Sequence, residues 1–360
     1  MATKTSSHVL LLISLCNLPA ANNKIRGIFV FGSSLVDNGN NNFLPNSIAK
    51  ADYLPYGIDF PLGPSGRFSN GKNTIDLLGT YLELPNPFIP PFNSPSTKGS
   101  SIVGGVNYAS GGSGILDDTG SVAGQVISLN QQIRNFEQVT LPELEAEVGC
   151  KSRESLPNYL FAVGSGGNDY SFNYFLRGSN VSLQAFTANL TATLSAQLKK
   201  LYDLGARKFV VMAVYPIGCI PAVVARLPAG TGCARDLNMA ARLFNSQLRF
   251  LVDALRPQLP GSILVFVNSY QIIGDIITNP APEGFSDVSN PCCEVGSISE
   301  GGNGILCKRG GSTCPNRRLH VFFDGLHPTE AVNVVIAANA YASSLADLVY
   351  PINLKQLAQI

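Results

Sequence analysis

Tryptophan is absent from the 360-residue chain, and histidine is confined to His8, His320 and His327. Charge is scarce too: Asp, Glu, Lys and Arg make up 14% of residues and balance to a net charge of +1, against about a quarter in an ordinary soluble domain. A chain without a basic surplus has no electrostatic footprint for nucleic acid or an anionic membrane surface, so neither is expected as a partner. Long apolar runs are missing as well. Val9–Leu15 is far too short to cross a bilayer, and Ala331–Val349 is broken by Asn333 and Asn339 and reads as a core-facing terminal helix. No integral membrane segment is therefore expected beyond the leader. The cysteines include no C-x-x-C pair and only His320 lies near them, which speaks against a zinc site.

What is present points to export. Met1–Ala21 carries Lys4, then the apolar run, then Leu18-Pro19-Ala20-Ala21, the layout of a secretory signal peptide. The mature chain, residues 22–360, shows no repeat and no domain-sized linker, so one domain and an extracellular location are expected. Without Cys16, seven cysteines remain: Cys150, Cys219, Cys233, Cys292, Cys293, Cys307 and Cys314. Their clustering in two loops reads as loop staples, with Cys150 left over. The sequons at Asn180 and Asn189 are candidate glycosylation sites.

Five apolar or β-branched runs read as buried parallel strands: Gly27–Phe31, Gly105–Ala109, Tyr159–Val163, Lys208–Val214 and Ile263–Val267. Helical faces lie between most of them. Val126, Leu129, Ile133 and Phe136 share one; Phe186, Leu190, Leu194, Leu198 and Leu201 share another, stopped by Gly205; Leu243, Leu251 and Leu255 mark a third. Alternating strands and helices make an α/β domain around a parallel sheet, and such sheets bind ligands beyond the C-terminal ends of their strands. Ser34, Ser110–Gly111 and Asn168 all fall at those ends.

Ser34 follows an apolar strand and Gly32, where a strand-to-helix turn exposes a hydroxyl; a helix N-cap serine is the competing explanation. His327 has Asp324 three positions earlier, close enough to fix its tautomer, whereas His320 sits in an apolar run as a strand histidine. Serine, histidine and aspartate are the parts of a hydrolytic triad, and Gly111 and Asn168 offer donors for an oxyanion. Alone, each has a plainer explanation as a turn or a cap; together they occur in the right order at strand ends.

Four blocks strengthen the reading: Phe29–Asn41 with Gly32-Ser33-Ser34-Leu35, Gly105–Gly112, Gly166-Gly167-Asn168-Asp169, and Phe323–Glu330 with Asp324-Gly325-Leu326-His327. In these, and in Gly66–Gly71, Pro216–Cys219 and Pro291–Cys293, the chain resembles the plant-type GDSL esterase/lipases of the SGNH hydrolase superfamily from Gly27 onward. The resemblance implies a flavodoxin-like three-layer α/β/α fold and hydrolysis of lipid-type or other acyl esters without a metal or organic cofactor. It implies Ser34 as nucleophile, His327 as general base and acid, and Asp324 as its orienter. The Ser34 and Gly111 N–H groups and the Asn168 side chain would form the oxyanion hole.

One departure stands out. Ser33 occupies the place of the usual Asp, so a local acceptor is kept while a negative charge is lost. Two alternatives to hydrolysis follow: transfer of the same acyl group to an alcohol, and ligand binding by a weakened homologue. Substrate choice is expected from the loops Phe43–Phe68 and Pro85–Lys98.

Overall fold

The structure, a computed structural model, describes residues 25–296 and 304–360; the leader read at 1–21 lies outside the described residues. The first strand, β1 (Ile28–Gly32), is completely buried from Ile28 to Phe31, as its unbroken apolar run requires of a parallel strand covered on both faces. β2 (Leu160–Gly164), β3 (Lys208–Met212) and β4 (Ile263–Val267) follow in parallel, with Ile28 opposite Leu160, Leu160 opposite Lys208 and Lys208 opposite Ile263.

Two small pairings escape the sequence pattern. β5 (Asp287–Pro291) and β6 (His320–Phe322) form a separate parallel pair, and β7 (Val349–Tyr350) closes the main sheet antiparallel to β4. Consequently the terminal helix ends at Ala342 rather than running on to Val349.

The expected strand at Gly105–Ala109 is not a regular strand. It runs parallel beside β1, with the Val30 N–H bonded to Val106 O and the Tyr108 N–H bonded to Val30 O, but only Val30 and Asn107 form a bridge. Two causes can be named. Gly105 has φ +109°, outside the extended region. At the other end Gln132 diverts the Gly32 N–H, which donates to Gln132 Oε1 at 2.8 Å, while Gly32 O still accepts the Ser110 N–H at 3.0 Å alongside Gln132 Nε2 at 2.9 Å. The segment still sits outside β1, which gives the flavodoxin-like order in which the second parallel stretch lies beyond the first. The switch point then falls between β1 and β2.

Helices cover both faces. On one lie α1 (Thr74–Tyr81), α6 (Ser269–Thr278) and α7 (Glu330–Ala342), with α7 touching the other two. On the other are α2 (Leu129–Asn135), α4 (Leu183–Leu204) and α5 (Arg235–Leu255); α3 (Leu141–Val148) continues the α2 arm. Their starts follow capping chemistry. Asn73 and Asp76 form a capping box at α1, and Ser182 accepts the Ala185 N–H at α4. The α4 stripe Phe186, Leu190, Leu194, Leu198 and Leu201 is buried, and Gly205 ends it at φ 122°. The result is a three-layer α/β/α sandwich.

Around the site end, a second cluster packs Tyr56, Phe68 and Phe323 against Cys292, Cys293 and Cys307. Disulfides join Cys219 to Cys233, Cys292 to Cys314 and Cys293 to Cys307, as loop staples. Cys150 is not the leftover thiol the count suggested: it is disulfide-bonded and buried. Arg67 clamps this region to α1 through paired bonds of 2.7 Å to both carboxylate oxygens of Asp76, with both side chains buried.

Candidate active site

The site is built at the switch point. Between the C-terminal ends of β1 and β2, Gly32 has φ +147°, and a β-carbon there would run into the Gly164 backbone. Only glycine lets the chain leave β1 this close to its neighbour. Ser33 then anchors the turn through its backbone alone: its N–H donates to Gly164 O at 3.0 Å, and its carbonyl accepts the Val36 N–H at 3.1 Å. No helix begins at Ser33 or Ser34, contrary to the strand-to-helix expectation; Ser33–Val36 is a turn. The substitution of Ser for Asp at position 33 therefore removes no cap. Its side chain lines the cavity beside Ser34.

From the opposite end of the chain, the loop after β6 brings in Asp324 and His327. His327 Nε2 lies 2.8 Å from Ser34 Oγ, and His327 Nδ1 lies 2.8 Å from Asp324 Oδ2 and 2.9 Å from Oδ1. Asp324 Oδ1 also accepts the N–H groups of Leu326 and His327, both at 2.7 Å. Asp-Gly-Leu-His thus winds a tight loop around its own carboxylate, which is why the spacing of three works. Asp324 and His327 are buried, and the Phe68 ring lies 4.8 Å from the imidazole. Tyr56 donates its hydroxyl to Asp324 Oδ2 at 2.6 Å, and Tyr215 donates to Leu326 O at 2.9 Å. Neither tyrosine was singled out in the sequence.

The oxyanion candidates divide. The Ser34 N–H has no hydrogen-bond partner among the described residues. Asn168 lines the same cavity and spends one amide hydrogen on Ser113 O at 2.8 Å, leaving the other. The third candidate, Gly111, donates its single N–H to Asp37 Oδ2 at 2.9 Å. Asp37 also accepts the N–H groups of Gly39 at 2.7 Å and Asn40 at 2.9 Å, while complete burial pushes its pKa up to about 6. Asp169 plays a matching part behind Asn168. It accepts from Ile115, Leu116 and the Thr119 hydroxyl, and burial raises its pKa to about 6 as well.

Beyond Ser34 the cavity, about 430 Å³, runs across the ends of β2 and β3 toward α6. Phe172, Val214, Ile217, Val223, Leu237 and Ile273 make its walls predominantly apolar. Neither Phe43–Phe68 nor Pro85–Lys98 contributes a wall to this cavity. The Pro90–Phe92 stretch is instead spent bonding along the outer side of Asn107. His320 does lie in β6, but its Nδ1 has no hydrogen-bond partner and is 3.8 Å from Asp287. Among the described residues no cluster of His, Cys, Asp or Glu is arranged to hold a metal, and no helix is long and apolar enough to cross a membrane. Asn180 and Asn189 are both exposed.

Comparison with known proteins agrees with this geometry. Residues 28–340 match the family described as GDSL-like Lipase/Acylhydrolase. The chain is similar to GDSL esterase/lipase At1g29670 of Arabidopsis thaliana, 42% identical over 339 residues that cover 92% of this chain and 91% of the relative. GDSL esterase/lipase 7 of the same plant is 39% identical over 343 residues, covering 92% of each.

Proposed function

The chain belongs to the GDSL-like lipase/acylhydrolase family and is a carboxylic ester hydrolase, and from that premise we propose that it cleaves apolar acyl esters through an acyl-serine intermediate. A single observation carries the reading: the unbroken line from Ser34 Oγ to His327 Nε2 at 2.8 Å and from His327 Nδ1 to Asp324 at 2.8 Å.

In the first half-reaction, Ser34 Oγ attacks the acyl carbon while its proton passes to His327 Nε2. Asp324 holds Nδ1–H and stabilises the imidazolium. The carbonyl oxygen, now anionic, is met by the Ser34 N–H and the free Asn168 amide hydrogen. Collapse breaks the bond to the alkoxide, which takes the proton from Nε2 and leaves as the alcohol. Water then repeats the sequence: its proton goes to Nε2, its oxygen attacks the acyl-serine, and Ser34 recovers the proton as the acid departs. The chemistry balances with these residues and water alone.

The apolar cavity supports an acyl chain as the group that is bound. The whole of residues 22–360 is read as one catalytic domain. Secretion is part of the proposal, supported by the stapled loops and by exposed Asn180 and Asn189 as glycan sites. The deciding experiment pairs Ser34→Ala with fluorophosphonate labelling. Wild type should label once, at Ser34, and hydrolyse a p-nitrophenyl ester; the variant should do neither while keeping its fold. Undiminished turnover by Ser34→Ala would rule the mechanism out. Assay of the products with water and with a polyol present separates hydrolysis from acyl transfer.

A further inference from the structure

We infer that Tyr56 is a positioning residue for the catalytic pair, a fourth member of the line Ser34–His327–Asp324 that sets the basicity of His327 through Asp324. The inference rests on the serine-hydrolase reading above and adds a residue 268 positions away from the aspartate it serves.

The hydrogen-bond inventory assigns the roles. A tyrosine hydroxyl has one proton to give and lone pairs to receive. The Cys307 N–H donates to the Tyr56 oxygen at 3.1 Å, so the hydroxyl proton is left for Asp324 Oδ2, 2.6 Å away. Asp324 Oδ1 accepts the N–H groups of Leu326 and His327 and lies 2.9 Å from His327 Nδ1, whereas Oδ2 has Tyr56 at 2.6 Å and His327 Nδ1 at 2.8 Å. With the aspartate fully buried, the phenol hydroxyl is what shares Oδ2 with the imidazole. Burial first, and the neighbouring Asp324 charge second, push the Tyr56 pKa well above its usual value, so it remains a donor wherever the enzyme works. The ring itself is fixed: Phe68 and Phe323 meet it edge-on, at centroid distances of 6.0 and 5.7 Å. The Cys293–Cys307 disulfide holds the segment that supplies the N–H.

The titratable groups facing the Asp324–His327 pair are Tyr56 and Tyr53 from the 53–68 segment, Tyr215 from the loop after β3, and Ser34 from the turn after β1. The three tyrosines are all pushed up by burial and stay neutral. Tyr53 is the natural control. It bonds the Cys307 carbonyl at 2.8 Å and packs edge-on against Tyr56, but it does not touch Asp324.

The direction of the effect follows from charge. Losing the phenol donor leaves the aspartate anion less stabilised, so it pulls harder on the imidazolium and raises the proton affinity of His327. The acid limb of kcat/KM then moves to higher pH. For Tyr56→Phe on a short soluble ester, kcat should fall roughly 10- to 100-fold with KM little changed, and the acid limb should rise by on the order of one pH unit. Tyr53→Phe should leave the acid limb in place. Tyr56→3-fluorotyrosine, which keeps the hydroxyl and makes it a stronger donor, should move the limb downward; this variant decides the matter even if Tyr56→Phe fails to fold. An acid limb that stays put in both Tyr56 variants, or that Tyr53→Phe moves equally, would overturn the assignment. Wild-type labelling of Ser34 by fluorophosphonate keeps the two readings apart: unmoved pH limbs with normal labelling sink Tyr56 alone, whereas absent labelling sinks the serine mechanism and Tyr56 with it.

Discussion

Gly111 directs its backbone N–H at Asp37 Oδ2, 2.9 Å away. That bond ties the turn after β1 to the loop that follows Asn107. Asp37 is thereby a structural hub beside the nucleophile, receiving three backbone N–H groups from two loops.

In the mechanism proposed above, Asn168 meets the transition-state charge with its free amide hydrogen. Asn168→Ala should lower kcat about 10²- to 10³-fold, the usual cost of deleting an oxyanion donor, with a smaller change in KM. Steady-state kinetics on a short p-nitrophenyl ester measure it directly. A kcat equal to wild type would remove Asn168 from the mechanism.

Acyl-chain length should register in the cavity. Each buried methylene is worth about 0.8 kcal/mol, so lengthening the acyl group by two carbons should raise kcat/KM by about tenfold until the walls are reached. Val223→Phe narrows a cavity wall and should move the optimum to shorter chains while sparing acetate esters. A flat response across a graded ester series would show that the chain is not held there.

Buried carboxylates give the stability profile a definite sign. Burial raises the Asp37 pKa from 3.8 to about 6, so the folded state keeps its proton over a range where the unfolded chain has lost it. The associated stabilisation is full below about pH 4 and is lost as pH rises through about 6. Unfolding free energies of wild type and Asp37→Asn, measured in urea from pH 4 to 7, should reveal it. The wild-type advantage should shrink by about 3 kcal/mol between pH 4 and 6 and then level off. A difference that grows with pH would contradict the assignment. Asp169→Asn should behave alike, since Asp169 is raised to about 6 by the same cause.

Some of this was legible without coordinates because the signals were local. Four of the five apolar or β-branched runs are buried strands, and Asp324 and His327 close their loop through bonds spanning two or three residues. Ser34 could be matched to His327 because so few histidines compete. The failures share the opposite property. Tyr56 meets Asp324 across 268 positions, and Gln132 captures Gly32 across 100, so no periodicity or spacing announces either. Gly105–Ala109 has a strand's composition, but its pairing was decided by that distant glutamine and by one glycine's dihedral. β7 is two residues long and carries no pattern to read. The cavity walls come largely from residues after β2 and β3, which carry no pattern that marks them as neighbours in the sequence.

Ser34 and His327 meet across 293 positions of chain. Chemistry at this site is therefore a report on the whole span between them: under the mechanism proposed above, a ribosome must have passed residue 327 before the first ester can be cut. A single nick in an exposed middle loop, if the halves part, leaves one piece with a nucleophile and no base and the other with a base and nothing to activate.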